Sequence, residues 1–169
     1  MENAINLNPL QLLQFITILL VGLLAGLLYG YDCSINQALG NLENELYLRS
    51  FQSINSTIQN PYFFMSFFGS VFALPVVTWF SYKYSSPTTF HILLSATLIF
   101  FIGVFFVTLF GNIPLNEQLN KFSIATSSQE EISSMRKSFE KPWNSFHTFR
   151  TISCIISFGL TVLSTLKIK

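Results

Sequence analysis

Four long apolar runs divide the chain, and they cover about residues 10–31, 62–82, 90–111 and 143–166. Arg150, in the last run, is the only acidic or basic side chain in any of them apart from histidine. A helix of this length rises roughly 30 Å, which matches the hydrocarbon thickness of a bilayer. The pattern therefore predicts an all-α, four-helix transmembrane bundle, with residues 1–169 forming one integral membrane domain.

A mixed segment follows the first run. Residues 33–60 place four side chains on one helical face, at spacings i, i+4, i+7 and i+8: Tyr47, Phe51, Ile54 and Asn55. Such a face predicts an amphipathic extramembrane helix lying over the mouth of the bundle. The segment should end at Asn60, because the residue before a proline avoids the helical region.

The most polar stretch, residues 117–141, precedes the fourth run. Its alternating charges indicate short helices and a solvated loop outside the bilayer. Ser127-Ser-Gln-Glu-Glu131 resembles a helix start with acidic residues in the first turn.

Composition agrees with a membrane location. Half of the residues are apolar and 10% are charged, whereas soluble domains carry about 25% charged residues. The formal charge of +1 argues against a nucleic-acid partner. No lysine or arginine precedes the first run, so that run is expected to be a retained span and not a cleaved signal peptide.

Four spans would leave both termini on one side of the membrane. Lys83, Lys167 and Lys169 flank that side closely, which favours cytoplasmic termini and a bacterial inner-membrane location. Cys33 and Cys154 fall near the opposite face, where one bridge is possible and two unpaired thiols are favoured.

Glycines recur every fourth residue in the first run: Gly22, Gly26 and Gly30. This spacing favours close contact with a neighbouring helix.

The third run ends in a row of polar side chains. Thr108, Asn112 and Asn116 lie four residues apart, so an unbroken helix would stack them on one face. Pro114 leaves an alternative open, in which the helix is kinked or restarts there with Asn112 as its cap.

The fourth run begins with Trp143, His147 and Arg150 on one face. Two orientations of Arg150 are open. Its charge could snorkel to the headgroups, or it could turn inward to a polar pocket. An inward Arg150 would need acceptors, and the asparagines are candidates: Asn55, Asn112 and Asn116.

His147 is a candidate base near neutral pH, and a hydrogen-bonded structural histidine is the alternative. No metal site is predicted, since the sequence lacks HxxxH and HExxH motifs and paired carboxylates. A glycine-rich phosphate loop is also absent.

Two motifs resemble signatures of the anthrone oxygenase-like family of small four-span membrane proteins. They are Asn112-Ile-Pro-Leu-Asn116 and Trp143-Asn-x-x-His147-x-x-Arg150-Thr151. The resemblance implies a four-span bundle and an activity that oxygenates anthrones to anthraquinones without a classical cofactor. His147 stands where many family members have asparagine.

The residues and the resemblance together suggest cofactor-independent oxygenation of a hydrophobic aromatic substrate. His147 would be the base and Arg150 would stabilise an oxyanion, with Asn112 and Asn116 as further donors. The substrate-binding residues would be Trp143, Tyr47, Asn55 and Thr108.

Two alternatives stay open. The chain could be a non-catalytic accessory subunit that binds a protein partner or a second copy of itself. It could also bind a small hydrophobic ligand such as a quinone without reacting with it.

Overall fold

The computed structural model describes residues 8–166, which form five helices and a short 3-10 turn at Ile124–Thr126. The helices are α1 (Pro9–Gly40), α2 (Asn44–Thr57), α3 (Pro61–Tyr84), α4 (Pro87–Lys121) and α5 (Gln129–Leu163). No strand occurs in these residues. The predicted all-α fold is confirmed.

Four of the helices, α1, α3, α4 and α5, are long and apolar enough to cross a membrane. Each packs on two others, in the pairs α1–α3, α3–α4, α4–α5 and α5–α1. They therefore form an antiparallel ring, and the chain is a membrane protein with the predicted bundle. The end at which α2 lies is called the capped end below.

Side-chain caps mark the helix starts. Asn60 is extended and accepts a hydrogen bond from the backbone N–H of Phe63, so α3 begins at Pro61. Ser128 and Glu131 form a reciprocal capping box at the start of α5. The predicted boundary at Asn60 and the helix start in residues 127–131 are both confirmed.

The polar segment 117–141 contains no separate short α-helix, so that part of the prediction is wrong. Its first residues are the end of α4, which extends to Lys121, and from Gln129 onward it belongs to α5. Residues 122–128 form the connection between the two. α5 runs without a break from Gln129 through Pro142 to Leu163. Its first turns are held by a second apolar cluster outside the main core, which includes Phe51, Phe139 and Trp143. This burial stabilises the additional turns of α5 before the membrane span, so the helix continues past Pro142.

Wider, π-helical turns interrupt two of the long helices. One lies at Tyr31–Ile35 in α1, and two lie at Phe101–Phe106 and Thr108–Asn112 in α4. The alternative of a restarted helix capped by Asn112 is wrong, because Asn112 is helical and its side chain makes no cap bond.

The glycine face of α1 is only partly a contact surface. A Cβ on Gly22 would meet the Phe158 ring at 2.9 Å, whereas Gly26 and Gly30 have no such neighbour within 4 Å. Within this chain, the predicted close contact is therefore made by Gly22 and not by Gly26 or Gly30. The tightest approach is between α4 and α5, where a Cβ on Gly103 would overlap Ser153.

Cys33 is exposed and Cys154 is buried in the core, and both are free. The favoured interpretation of two unpaired thiols is confirmed. Lys167 and Lys169, which supported the predicted orientation, lie outside the described residues.

Candidate functional site

A cavity of about 350 Å³ lies at the capped end, and every one of the five helices contributes to its wall. The α3 wall is apolar and consists of phenylalanines: Phe63, Phe64, Phe67 and Phe68. The opposite wall is polar and includes Thr108, Asn112, Asn116, His147 and Arg150. An apolar chamber of this size with a few convergent polar groups is typical of a small-molecule site.

Arg150 points inward and is only 8% exposed, so the snorkelling alternative does not hold. Its Nη1 donates to Thr108 Oγ1 at 3.0 Å and its Nη2 donates to His147 Nδ1 at 2.9 Å, while Nε has no partner. Among residues 8–166, no carboxylate forms an ion pair with it. A buried cation without an anion is costly, which makes it a strong candidate for binding an anionic group.

The hydrogen bonds of His147 fix its protonation state. Nδ1 accepts from the guanidinium of Arg150, which has only donors, so this nitrogen carries a lone pair. Nε2 lies 3.2 Å from the carbonyl oxygen of Leu28 and therefore carries the proton. His147 is thus a neutral imidazole whose basic nitrogen faces Arg150. Leu28 lies three residues before the π-helical turn of α1, which begins at Tyr31, and such turns are frequent near functional sites.

Trp143 links the polar side chains at the end of α4 to those of α5. Its indole stacks on the His147 ring, with centroids 4.9 Å apart and planes 9° from parallel. Its Nε1–H donates to Asn116 Oδ1 at 2.7 Å, and its backbone oxygen accepts from Asn112 Nδ2 at 3.3 Å. These two hydrogen bonds therefore hold the end of α4 against the part of α5 around Trp143.

Four cavity-lining side chains contain a buried polar atom with no hydrogen-bond partner: Tyr31 Oη, Asn55 Nδ2, Asn112 Oδ1 and Arg150 Nε. Buried polar groups are nearly always paired in folded proteins. Two of these atoms are donors, one is an acceptor and the tyrosine hydroxyl can be either. A complementary ligand would carry oxygen acceptors and at least one hydroxyl donor.

Of the eight predicted site residues, seven line this cavity and Tyr47 does not. Tyr47 lies instead under the cationic group of Arg136, which is 4.4 Å from its ring centroid, and it packs against Phe51. Burial and then the carboxylate of Glu140 raise the pKa of the Tyr47 phenol far above its usual value. Tyr47 therefore stays protonated and neutral beside the cavity, not in its wall.

Sequence reasoning missed Tyr31 and the phenylalanine wall. The ring of Tyr31 lies 5.0 Å from that of His147 and 5.5 Å from that of Trp143. A signal was present, because Tyr31 follows the buried Leu24 and Leu28 at helical spacing.

In the described part of the chain, no three His, Cys, Asp or Glu side chains lie close enough to hold a metal ion.

The fold and cavity define a four-span helical membrane protein with a buried, partly polar chamber at one end. Residues 62–160 match the model of the anthrone oxygenase family, which is more than half of the chain, and the chain belongs to that family. The matched region contains six of the predicted site residues: Thr108, Asn112, Asn116, Trp143, His147 and Arg150. No curated protein and no solved structure matches the chain.

Proposed function

We propose that the protein is a membrane-embedded oxygenase that oxidises a hydrophobic hydroxyaryl ketone of the anthrone type with molecular oxygen and no cofactor. The observation that carries the proposal is Arg150, a buried guanidinium without an anionic partner, bonded to the neutral His147 in the wall of an apolar cavity. Membership of the anthrone oxygenase family supports the substrate class.

The reaction begins with loss of a proton from the activated CH₂ between the aromatic rings. The electron pair left behind is delocalised onto the ketone oxygen, and the ring carbon then forms a bond to O₂. Protonation of the resulting peroxide gives a hydroperoxide at that carbon. Loss of the remaining C–H proton and cleavage of the O–O bond give the quinone carbonyl and one water. The carbon is oxidised and O₂ is reduced, so R₂CH₂ and O₂ become R₂CO and H₂O.

Arg150 would bind the oxyanion that forms in the first step. Its charge is worth most where water is excluded, since preorganised donors stabilise developing charge best in a site of low dielectric. When the ketone oxygen approaches the guanidinium, Nη2 can turn to it and release His147 Nδ1, which lies 2.9 Å away. The freed lone pair then takes the carbon-bound proton.

Asn112 and Asn116 would orient the substrate, and Trp143 would form one face of the ring slot. Asn112 Oδ1 is free to accept a hydroxyl proton, which suits a phenol next to the ketone. Thr108 holds Arg150 from the side opposite His147. Asn55 is placed to donate to a second oxygen of the ligand through Nδ2.

Binding without chemistry is a second candidate, and a specific observation favours it. Both ring nitrogens of His147 are already hydrogen bonded, to Leu28 and Arg150, so the unliganded site offers no free base. A quinone carrier or a subunit of a larger assembly would use the same cavity in this resting arrangement.

Substitution of His147 separates these functions. His147→Asn keeps an oxygen acceptor for Arg150 but cannot take up a proton. We expect this variant to bind 1,8-dihydroxyanthraquinone normally and to lose anthrone-dependent oxygen uptake in vesicles. His91→Asn is the matched control, because His91 is exposed near the opposite end of the bundle and should leave the rate unchanged.

Two results would contradict the oxygenase. One is an oxygen-uptake rate of the parent protein no higher than that of empty vesicles. The other is full activity in His147→Asn, which would remove the histidine as the base.

The orientation of the bundle is part of the proposal. With both termini in the bacterial cytoplasm, the capped end and its cavity face outward. Cys33 is exposed near that end and Cys154 is buried. A membrane-impermeant maleimide should therefore label Cys33 in intact cells, and labelling only after lysis would reverse the orientation.

A further inference from the structure

α3 and α4 separate toward the capped end. α3 packs on the Pro87–Phe100 part of α4, but the Thr108–Lys121 part of α4 is packed mainly on α5 and α2 instead. The cavity occupies the space between them and is lined on its two sides by residues of α3 and α4. The chamber therefore reaches the lipid-facing side of the bundle.

The rim of this gap is apolar and exposed. Four apolar residues that line the cavity are exposed. Three of them lie on the two sides of the gap: Phe64 at 40% and Phe68 at 45% on α3, and Ile113 at 39% on α4. The fourth is Leu27 of α1, at 39%. Phe64 lies one turn into α3 and Phe68 one turn deeper, so both lie inside the apolar span. In a bilayer, acyl chains and not water would contact this rim.

A second, polar rim lies closer to the membrane surface. It consists of exposed side chains that also line the cavity: Gln59, Glu117 and Asn120. The mouth therefore spans the boundary between lipid and water. An amphipathic molecule lying at that boundary, with its rings in the lipid and its oxygens toward water, would meet matching surfaces.

The inner wall of the gap is shaped for flat rings. Phe63 and Phe67, which both line the cavity, are stacked with centroids 5.6 Å apart and planes 22° from parallel. Aromatic faces of this kind bind planar aromatic molecules by offset stacking. Beyond them lie Arg150 and the unpartnered polar atoms.

From this arrangement we infer that the α3–α4 gap is a lateral entrance, through which a planar, lipid-dissolved aromatic ketone passes from the outer part of the bilayer into the cavity. The inference rests on the cavity of the proposed function, and it adds the route and the physical state of the ligand. Phe64 and Phe68 line the passage. The rings enter along the phenylalanine wall, and the oxygens meet Arg150 at the end.

Fluorescence quenching by lipid tests the entrance without any turnover. Trp79→Phe leaves Trp143 as the only tryptophan, and Trp143 lies in the cavity wall. The protein is reconstituted in phosphatidylcholine brominated near the glycerol end of its acyl chains. Bromine quenches indole on contact, so quenching reports how closely lipid chains approach Trp143.

Phe64→Ala enlarges the entrance and should raise the quenching constant of Trp143. Phe72→Ala is the matched control, because Phe72 is a phenylalanine of the same helix, 69% exposed, that does not line the cavity. Its quenching constant should equal that of the parent. Phe64→Leu should give an intermediate value, and circular dichroism checks that each variant keeps its helices.

Equal quenching in the Phe64→Ala and Phe72→Ala proteins would overturn the entrance. The outcome does not depend on oxygenase activity. An inactive protein with the expected quenching would refute the proposed function and leave the entrance standing. An active protein with equal quenching in the two variants would refute the entrance and leave the proposed function standing.

Discussion

Arg150→Met is expected to lower the turnover rate strongly and to leave the fold intact. Methionine is similar in length and apolar, so it fills most of the space of the arginine without its charge. Thr108 Oγ1 and His147 Nδ1 each lose the hydrogen bond that Arg150 donates to them. Among the described residues, no buried carboxylate is left unpaired. The variant thus removes the charge at little structural cost.

Two opposing contributions to the stability of the Arg150→Met protein are similar in size. An arginine in the bilayer interior costs roughly 2.5–3.5 kcal/mol on insertion scales, and this cost disappears with methionine. Each of the two lost hydrogen bonds is worth about 1.5 kcal/mol. The sum leaves the free energy of unfolding within about 2 kcal/mol of the parent. Loss of one electrostatic donor from a reacting oxyanion should lower the turnover rate by about 10²–10³-fold.

Two measurements on one preparation test this separation. Unfolding in mixed micelles with increasing SDS gives the change in stability, and anthrone-dependent oxygen uptake in vesicles gives the change in rate. Arg150→Lys is a useful companion, because a lysine keeps the charge but not the forked geometry. It should retain part of the activity.

The opposite pattern would show that Arg150 has a structural role and not a functional one. A loss of stability of about 3–5 kcal/mol, which is usual when a buried ion pair is broken, together with unchanged turnover would make Arg150 a structural brace. The accessory-subunit alternative would then be favoured.

Three further variants, two of them with a control variant, test the packing of the helices. Gly103→Ala should lower the free energy of unfolding by about 1–3 kcal/mol, because a Cβ there overlaps a side chain of α5; Gly26→Ala, with open space around it, should be neutral or stabilising by up to about 1 kcal/mol. Arg136→Met should cost about 2 kcal/mol in the same SDS assay, because the guanidinium binds two backbone carbonyls of the α1–α2 connection. Arg49→Met, in an exposed pair, should change stability by less than about 0.5 kcal/mol. Trp143→Phe should cost about 1 kcal/mol through the lost indole hydrogen bond, and equal stability would show that this bond does not hold α4 to α5.

Helical spacing was sufficient to predict much of the site. Thr108 and Asn112 share a face of α4, and His147 and Arg150 share a face of α5. The two faces meet because consecutive antiparallel spans place the end of one beside the start of the next. A charge inside an apolar run also indicated that Arg150 was unusual, since such a charge needs a reason to stay in the membrane.

Other features depended on tertiary contacts that spacing does not encode. The sequence left open whether Arg150 points outward to lipid or inward to the bundle. The answer depends on which face of α5 packs against the other helices. Tyr47 and Asn55 share a face of α2, yet only Asn55 reaches the cavity. The continuous helix through Pro142 also depends on burial, since residues on both sides of the proline pack in the cluster at the capped end.

The central claim is that O₂ reacts with an aromatic ketone in the Arg150 cavity, and isotope labelling tests it most directly. Purified protein in vesicles is given anthrone under ¹⁸O₂, beside Arg150→Met vesicles with the same amount of protein. We expect anthraquinone with one ¹⁸O to form much faster with the parent protein than with Arg150→Met, with the other labelled atom released as water. Labelled product at equal rates in the two samples, or a new carbonyl oxygen that derives from water, would contradict the account.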